Sequence, residues 1–203
     1  MFNTRLFKHL VFILILMAGF TNQALAETSK KKYGNLNKGV FLVATDKLKY
    51  SSMHKTVIYI TQHDQAGTSG FIINRPTEAH VNDAFPDIHA SSETNGTVYF
   101  GGPLHTQYLF ILTQTQFSEG LYPINQNVYF GTGPAMSVRL QSENSHDKIR
   151  SFAGFMSWGP EQLEHELDSG EWILAPGNPA ELFEADSDTL WTSLYKRWAG
   201  SWI

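Results

Sequence analysis

The sequence predicts an α+β domain, and three observations predict it. Short runs of β-branched and aromatic residues, bounded by Gly, Pro, Asn and Asp, dominate the chain from residue 39 to about residue 130. Helical start and stop signals concentrate after residue 133, interspersed with further short strands. Hydrophobic residues make up 42% of the chain and aromatic residues 13%, enough for a sizeable core although there is no cysteine.

The elements follow in order. Gly39–Ala44 opens the ordered chain as a strand. Thr56–Thr61 and Phe71–Asn74 read as adjacent strands buried on both faces, with the turn-rich stretch His63–Gly70 as the loop between them. Pro76 ends the second of these, and a short helical turn is marked at Asn82–Phe85. Val98–Phe100 and Tyr108–Leu112 are strands separated by Gly101-Gly102-Pro103, and Val128–Phe130 is another. Pro134 opens a short helix through Leu140, because proline suits a first helical turn. Ile149–Met156 is a strand. Gly159-Pro160 then begins a helix that puts Leu163 and Leu167 on one face and stops at Asp168-Ser169-Gly170. Trp172–Leu174 is a short strand, and Asn178 caps a helix with Pro179 at its first position. The last helix carries Leu190, Trp191, Leu194, Tyr195 and Trp198 on one stripe, while Trp202 and Ile203 beyond it have less reason to be buried.

Residues 1–26 have the three zones of an export signal. Arg5 and Lys8 precede an eleven-residue apolar run from Leu10 to Phe20, and Ala24-Leu25-Ala26 fits the small-x-small cleavage pattern. The apolar run is short for a membrane span, which needs about 20 residues, so a periplasmic or secreted protein is expected. An uncleaved N-terminal anchor is the alternative, and no stable span remains after cleavage. Residues 27–38 form a polar, flexible segment containing Lys30, Lys31 and Lys32, and residues 39–203 form a single domain. Loss of Arg5 and Lys8 from 15 basic residues, against 19 acidic ones, moves the net charge from −4 to −6. That balance makes nucleic acid an unfavoured partner.

Four segments in this order resemble the AlgH/YqgE family. They are GVFLVAT with KTVIYITQHDQAGTSGFIINRPT, then VYFGGPL, then FAGFMSWGPEQLEHELDSGEWILAP, and finally ELF before the terminal helix. The resemblance covers residues 39–200 and implies a large, mixed, bifurcated sheet curled into a pseudo-barrel with helices outside. It brings a label of transcriptional regulator and no established active site or cofactor. It also implies a cytoplasmic protein, from which the export signal departs. Many family members have cysteine where Thr61 stands here, so a thiol role does not transfer.

Several constellations point towards chemistry. Gly154–Gly159 places Ser157 near a strand-to-helix transition, the context of a nucleophile elbow, but Phe155 stands where the elbow needs a small residue. No catalytic residue is therefore assigned. Glu161, Glu164 and His165 have helical spacing, but the second histidine of a zinc-protease helix is missing, so no metal or other cofactor is expected. His63, Asp64, Asn74, Arg75 and His105 sit in or beside loops, where ligand contacts concentrate, and Arg75 suits a carboxylate or phosphate. These five are the candidate ligand-binding residues. The reading that accommodates charge, export signal and missing triad is a non-catalytic envelope module binding an unidentified protein or small molecule. The alternatives are transcriptional regulation and a hydrolase or metal-dependent enzyme.

Overall fold

Continuous apolar runs need cover on both faces, and the computed structural model shows how this chain provides it. The structure describes residues 35–114, 120–141 and 148–200. The expected signal, residues 1–26, and the terminal Trp202 and Ile203 lie outside the described residues.

Ten strands form the sheet: β1 Val40–Ala44, β2 Val57–Asp64, β3 Gly67–Ile72, β4 Pro76–His80, β5 Thr97–Phe100, β6 Leu104–Thr113, β7 Tyr122–Pro123, β8 Tyr129–Gly131, β9 Ile149–Trp158 and β10 Trp172–Pro176. Among the described residues five α-helices accompany them: α1 Val81–Ala84, α2 Gly133–Gln141, α3 Gln162–Asp168, α4 Pro179–Glu184 and α5 Ser187–Trp198. The fold is α+β but dominated by its sheet, which curls into a half-barrel. The main path runs β10-β1-β2-β3-β9-β6-β8-β7, with β4-β5 as a side branch. All pairings are antiparallel except β5 with β9.

The sheet forks at β9. Residues 151–153 pair with β5 and residues 156–158 pair with β3, while β6 pairs with β9 from Ile149 to Ala153 and again at Phe155. Gly154 stands at the split with φ +71, a conformation that side chains rarely adopt. A Cβ there would lie 2.4 Å from the Gly102 carbonyl oxygen and 2.7 Å from that of Leu104. The backbone of β9 here meets that of the β5–β6 loop and the start of β6 directly.

β6 and β9 also separate two cores. On one side, Leu112 and Phe152 join Phe41, Tyr59, Phe71 and the α5 residues Leu190, Trp191 and Leu194. On the other, Leu109 and Ile111 join Val98, Val81 and the α2 residues Met136 and Leu140. The alternate positions Leu42, Ile58, Ile60 and Ile72 are also fully buried, so β1–β3 are covered on both faces, as their unbroken apolar runs predict. Trp191 anchors the terminal helix by donating its indole N–H to the Ala44 carbonyl at 2.8 Å. Tyr195 stacks on Trp191 at 4.9 Å, so most of the aromatic stripe is core.

Several expected boundaries move. The stretch Gly67–Gly70, read as loop, is strand, because β9 pairs with Thr68–Gly70 on the far side. The true turn is only Gln65-Ala66, between Asp64 and Gly67. Pro76 does not end a strand but begins β4, which pairs only with β5; a proline without an N–H is tolerated at the first residue of such an edge. Leu36, at the end of the expected polar segment, is buried. The α3 stop is a Schellman turn: Gly170 at φ +68 donates to Leu167, and Glu171 donates to Glu166.

Two substitutions test this packing. Gly154→Ala is expected to destabilise the fold by about 3–5 kcal/mol in urea denaturation, since it adds both a strained φ and a backbone clash. Thr113 is fully buried and its hydroxyl has no hydrogen-bond partner among the described residues. The isosteric Thr113→Val is expected to raise stability by about 1 kcal/mol, read as a higher melting temperature.

Candidate functional site

A wide cavity is built where β2, β3, β6, β8 and β9 converge beside β7. Its volume is about 940 Å³. Phe71, Phe110, Phe130 and Phe155 form its aromatic wall, in contact through ring centroids 5.7–6.1 Å apart. Each ring comes from a different strand, and each strand puts it there by the two-residue alternation of a pleated sheet. Phe71 is backed by Phe152, stacked at 4.7 Å, so the wall is continuous with the main core. Phe110, Phe130 and Phe155 remain only partly buried, which leaves apolar surface available inside a concave site.

A polar rim faces that wall. Thr61, Gln62, His63, Asp64, Ser69, Thr132 and Ser157 border the cavity, with Asn37 and Lys38 from the entering chain. The rim arises from a bulge: two β2 residues, Thr61 and Gln62, stand against Ser69, so the β2 register shifts by one. Such a bulge bends a strand and re-aims the side chains after it. Lys38 closes one edge by donating its ammonium to the Pro123 carbonyl at 2.9 Å.

Two of the five sequence candidates line this cavity. His63 Nδ1 lies 2.8 Å from the Thr68 hydroxyl across the hairpin. Asp64 accepts from the Gln62 side-chain amide at 2.8 Å and from the Ala66 N–H at 2.7 Å. These two bonds hold the Asp64 carboxyl below the usual aspartate range. His105 does not line the cavity but stacks on Phe155, which does, with ring centroids 5.6 Å apart.

Asn74 and Arg75 go elsewhere. They lie at the opposite end of the β2–β3 pair, six residues along from His63, or about 20 Å at the rise of a strand. Asn74 accepts from the Val57 N–H and donates to the Lys55 carbonyl. Arg75 donates to the Ser52 carbonyl and the Thr56 hydroxyl, and burial lowers its pKa. Both side chains tie the start of β2 and the loop before it to the connection between β3 and β4. The expected five-residue cluster is therefore three separate places.

The other sequence motifs are also located. Ser157 is the next-to-last residue of β9, paired with Ser69, and Trp158 continues the strand, so extended chain stands where an elbow would place its sharp turn. His63 is two strands and one residue away from it, about 10 Å by sheet geometry. Glu161 precedes α3 with φ +62, and among the described residues no three His, Asp or Glu side chains group as a metal site.

Two residues that sequence reasoning passed over have the most demanding environments. Glu166 accepts hydrogen bonds from the indoles of both Trp158 and Trp172, at 2.9 and 2.8 Å, and thereby clamps the end of β9 to β10 through α3. Arg150 is only 6% exposed and donates to the Ile73 and Ala185 carbonyls. A charged residue between the buried positions of β9 was the available signal for it.

A family model described as AlgH-like, DUF179, matches residues 41–202. The chain belongs to the AlgH-like family. A UPF0301 protein of Nocardia farcinica is 32% identical over 165 residues, covering 78% of this chain and 76% of that protein. A UPF0301 protein of Chlamydia pneumoniae is 28% identical over 174 residues, covering 85% and 93%. Among solved structures, the solution structure of the AlgH protein from Pseudomonas aeruginosa superposes with a TM-score of 0.65 at 25% identity, over 79% of this chain and 87% of that one. A Corynebacterium diphtheriae protein of known crystal structure shares the fold at the same TM-score and 22% identity, over 79% and 86%. The half-barrel of this AlgH-like chain is thus a family architecture.

The lowered Asp64 carboxyl has a defined sign. Its ionised form is favoured by folding, so its contribution is present above the ordinary aspartate pKa and is lost as pH falls through the lowered folded value. In a carboxyl NMR titration Asp64 is expected to titrate below the ordinary aspartate range. Gln62→Ala is expected to move that midpoint upward, and an unmoved midpoint would remove Gln62 as the main cause.

Proposed function

We propose that this AlgH-like protein is a non-catalytic binding module of the bacterial envelope, which takes a partly apolar small molecule or a partner's side chain into the cavity beside the β2–β3 hairpin. One observation carries the reading: a cavity of about 940 Å³ with four contacting phenylalanines on one wall and a hydrogen-bonding rim on the other. Pockets for small ligands have this composition, apolar surface for affinity and a few polar groups for orientation. The size falls within the roughly 300–1,000 Å³ of such pockets. The envelope address rests on the sequence alone, through the charge, apolar run and Ala24-Leu25-Ala26 of residues 1–26.

Two measurements test the two halves of the proposal. The fluorescent probe 1-anilinonaphthalene-8-sulfonate carries an aromatic body and one polar group, as the cavity requires. It is expected to bind the chain lacking residues 1–26 at one site, with native circular dichroism retained. Ser157→Trp fills the cavity from an exposed strand position, so it is expected to weaken the probe at least about tenfold and to change the melting temperature little. Unchanged probe affinity in that variant would reject the cavity as the site. Cell fractionation tests the address: full-length protein held uncleaved in the cytoplasm would reject the envelope reading and leave the cavity reading standing.

A further inference from the structure

A second, smaller cavity lies at the other end of β9, on the flank of the side branch. Its volume is about 250 Å³, below the range of drug-sized pockets, and Arg150, Ser151, Thr97 and Tyr99 border it. Arg150 is the unusual member. At 6% exposure its guanidinium is almost wholly removed from bulk water, yet no carboxylate lies within ion-pair distance among the described residues. An unpaired buried cation is costly unless other groups replace its hydration.

The protein replaces part of it. Of the five N–H donors of a guanidinium, one goes to the Ile73 carbonyl at 2.6 Å and one to the Ala185 carbonyl at 3.2 Å. The ring of Tyr99 lies under the guanidinium, 4.6 Å from its carbon to the ring centroid. Carbonyls and a ring face stabilise positive charge but do not neutralise it. Three donors are left without a protein acceptor among the described residues. Thr97, which the register of β5 against β9 puts on the same face of the sheet as Arg150 and Tyr99, also borders the cavity, and its side chain has no hydrogen bond within the described residues.

We infer that this cavity is a binding site for one small oxyanion group, a carboxylate or a phosphate, held by Arg150 with Thr97. A planar fork of donors suits two oxygens of such a group, and the Thr97 hydroxyl supplies a donor to a third. Burial makes the attraction stronger than at a surface arginine, since little water screens it. Glu93 is the one acidic residue bordering the cavity; it is exposed, so solvent weakens its opposition without abolishing it. The site is independent of the aromatic cavity and stands or falls separately from it.

Isothermal titration with inorganic phosphate, and in parallel with acetate, tests the inference on the chain lacking residues 1–26 in low-chloride buffer. At least one anion is expected to bind at a single site, and the tighter of the two identifies the source chemistry. Glu93→Gln is expected to tighten that binding about threefold by removing the like charge. Arg150→Lys keeps a positive charge but loses the fork, and is expected to weaken it at least about tenfold. If Arg150→Lys does not fold, Thr97→Val takes its place, with a weakening of about tenfold expected. No binding of either anion at about 10 mM to the wild-type chain and to Glu93→Gln overturns the inference. Binding left unchanged by the Arg150 variant, or by its substitute, overturns it as well.

Discussion

The contact on which this structure depends is between bare backbones at the fork of β9. One strand must serve β6 along one edge, and both β3 and β5 along the other. The two partners on that shared edge leave β9 in different directions, so the chain between them has to turn without leaving the sheet. Gly154 provides the turn with its positive φ, and Gly102 meets it from the loop between β5 and β6. A hypothetical Cβ on Gly102 would fall 2.3 Å from the Phe155 carbonyl carbon, as tight as the reciprocal contact. Neither strand has room for a methyl group. The fold therefore fixes two glycines in order to join its halves.

From that junction the rest follows by burial. β1–β3 and β10 sit on one arm, covered by α4 and α5, and their alternating residues fill the larger core. β4 and β5 sit on the other arm, where Val81, Ala90 and Val98 pack against α2. β6 and β9 contribute side chains to both cores, so they behave as a shared wall. Glu166 performs the corresponding task at the C-terminal end of β9. Its two indole bonds hold Trp158 and Trp172 edge to face, with rings 6.3 Å apart, and so fix where the strand stops. One carboxylate accepting two indole donors satisfies two buried polar groups without introducing a second charge.

How much of this could be read in the residues depends on how local each signal is. The helices were legible because caps and stops are short-range: Asn178 does accept from the Ala180 N–H, and Gly170 does close α3. Strands with apolar runs were legible for the same reason. β4 was not, since Pro76–His80 is polar and mostly exposed, the composition of an edge that needs no hydrophobic face. The hairpin was misplaced because Gly67, Ser69 and Gly70 have turn composition, and only pairing with β9 makes them strand. The cavity was half legible. His63 and Asp64 announce themselves beside a turn, whereas Phe71, Phe110, Phe130 and Phe155 each read as ordinary core. Their common wall exists only after four strands converge, and no spacing in the chain encodes that. Asn74 and Arg75 misled for the opposite reason: chemically suited to a ligand, they are used up on nearby carbonyls and a hydroxyl.

The same fork explains why the molecule has two concavities instead of one. Before Gly154, β9 residues Ile149, Arg150 and Ser151 border the small charged cavity; after it, Phe155 and Ser157 border the large aromatic one. The chemistry differs because the neighbours differ. The side branch adds only short strands and a loop, leaving Arg150 against carbonyls and a tyrosine ring, while the main path adds β6 and β8 with their phenylalanines. The two cavities share no lining residue, so occupants of the two sites make no common contact. β9 borders both, and Arg150 of the small cavity also bonds the Ile73 carbonyl, two residues along the chain from Phe71 of the large one. On β9 the tight glycine contact lies between the two cavities, a close-packed backbone junction with little room for small adjustment. A rigid fork thus supports two separate binding surfaces, and separating them is a consequence of how the sheet divides.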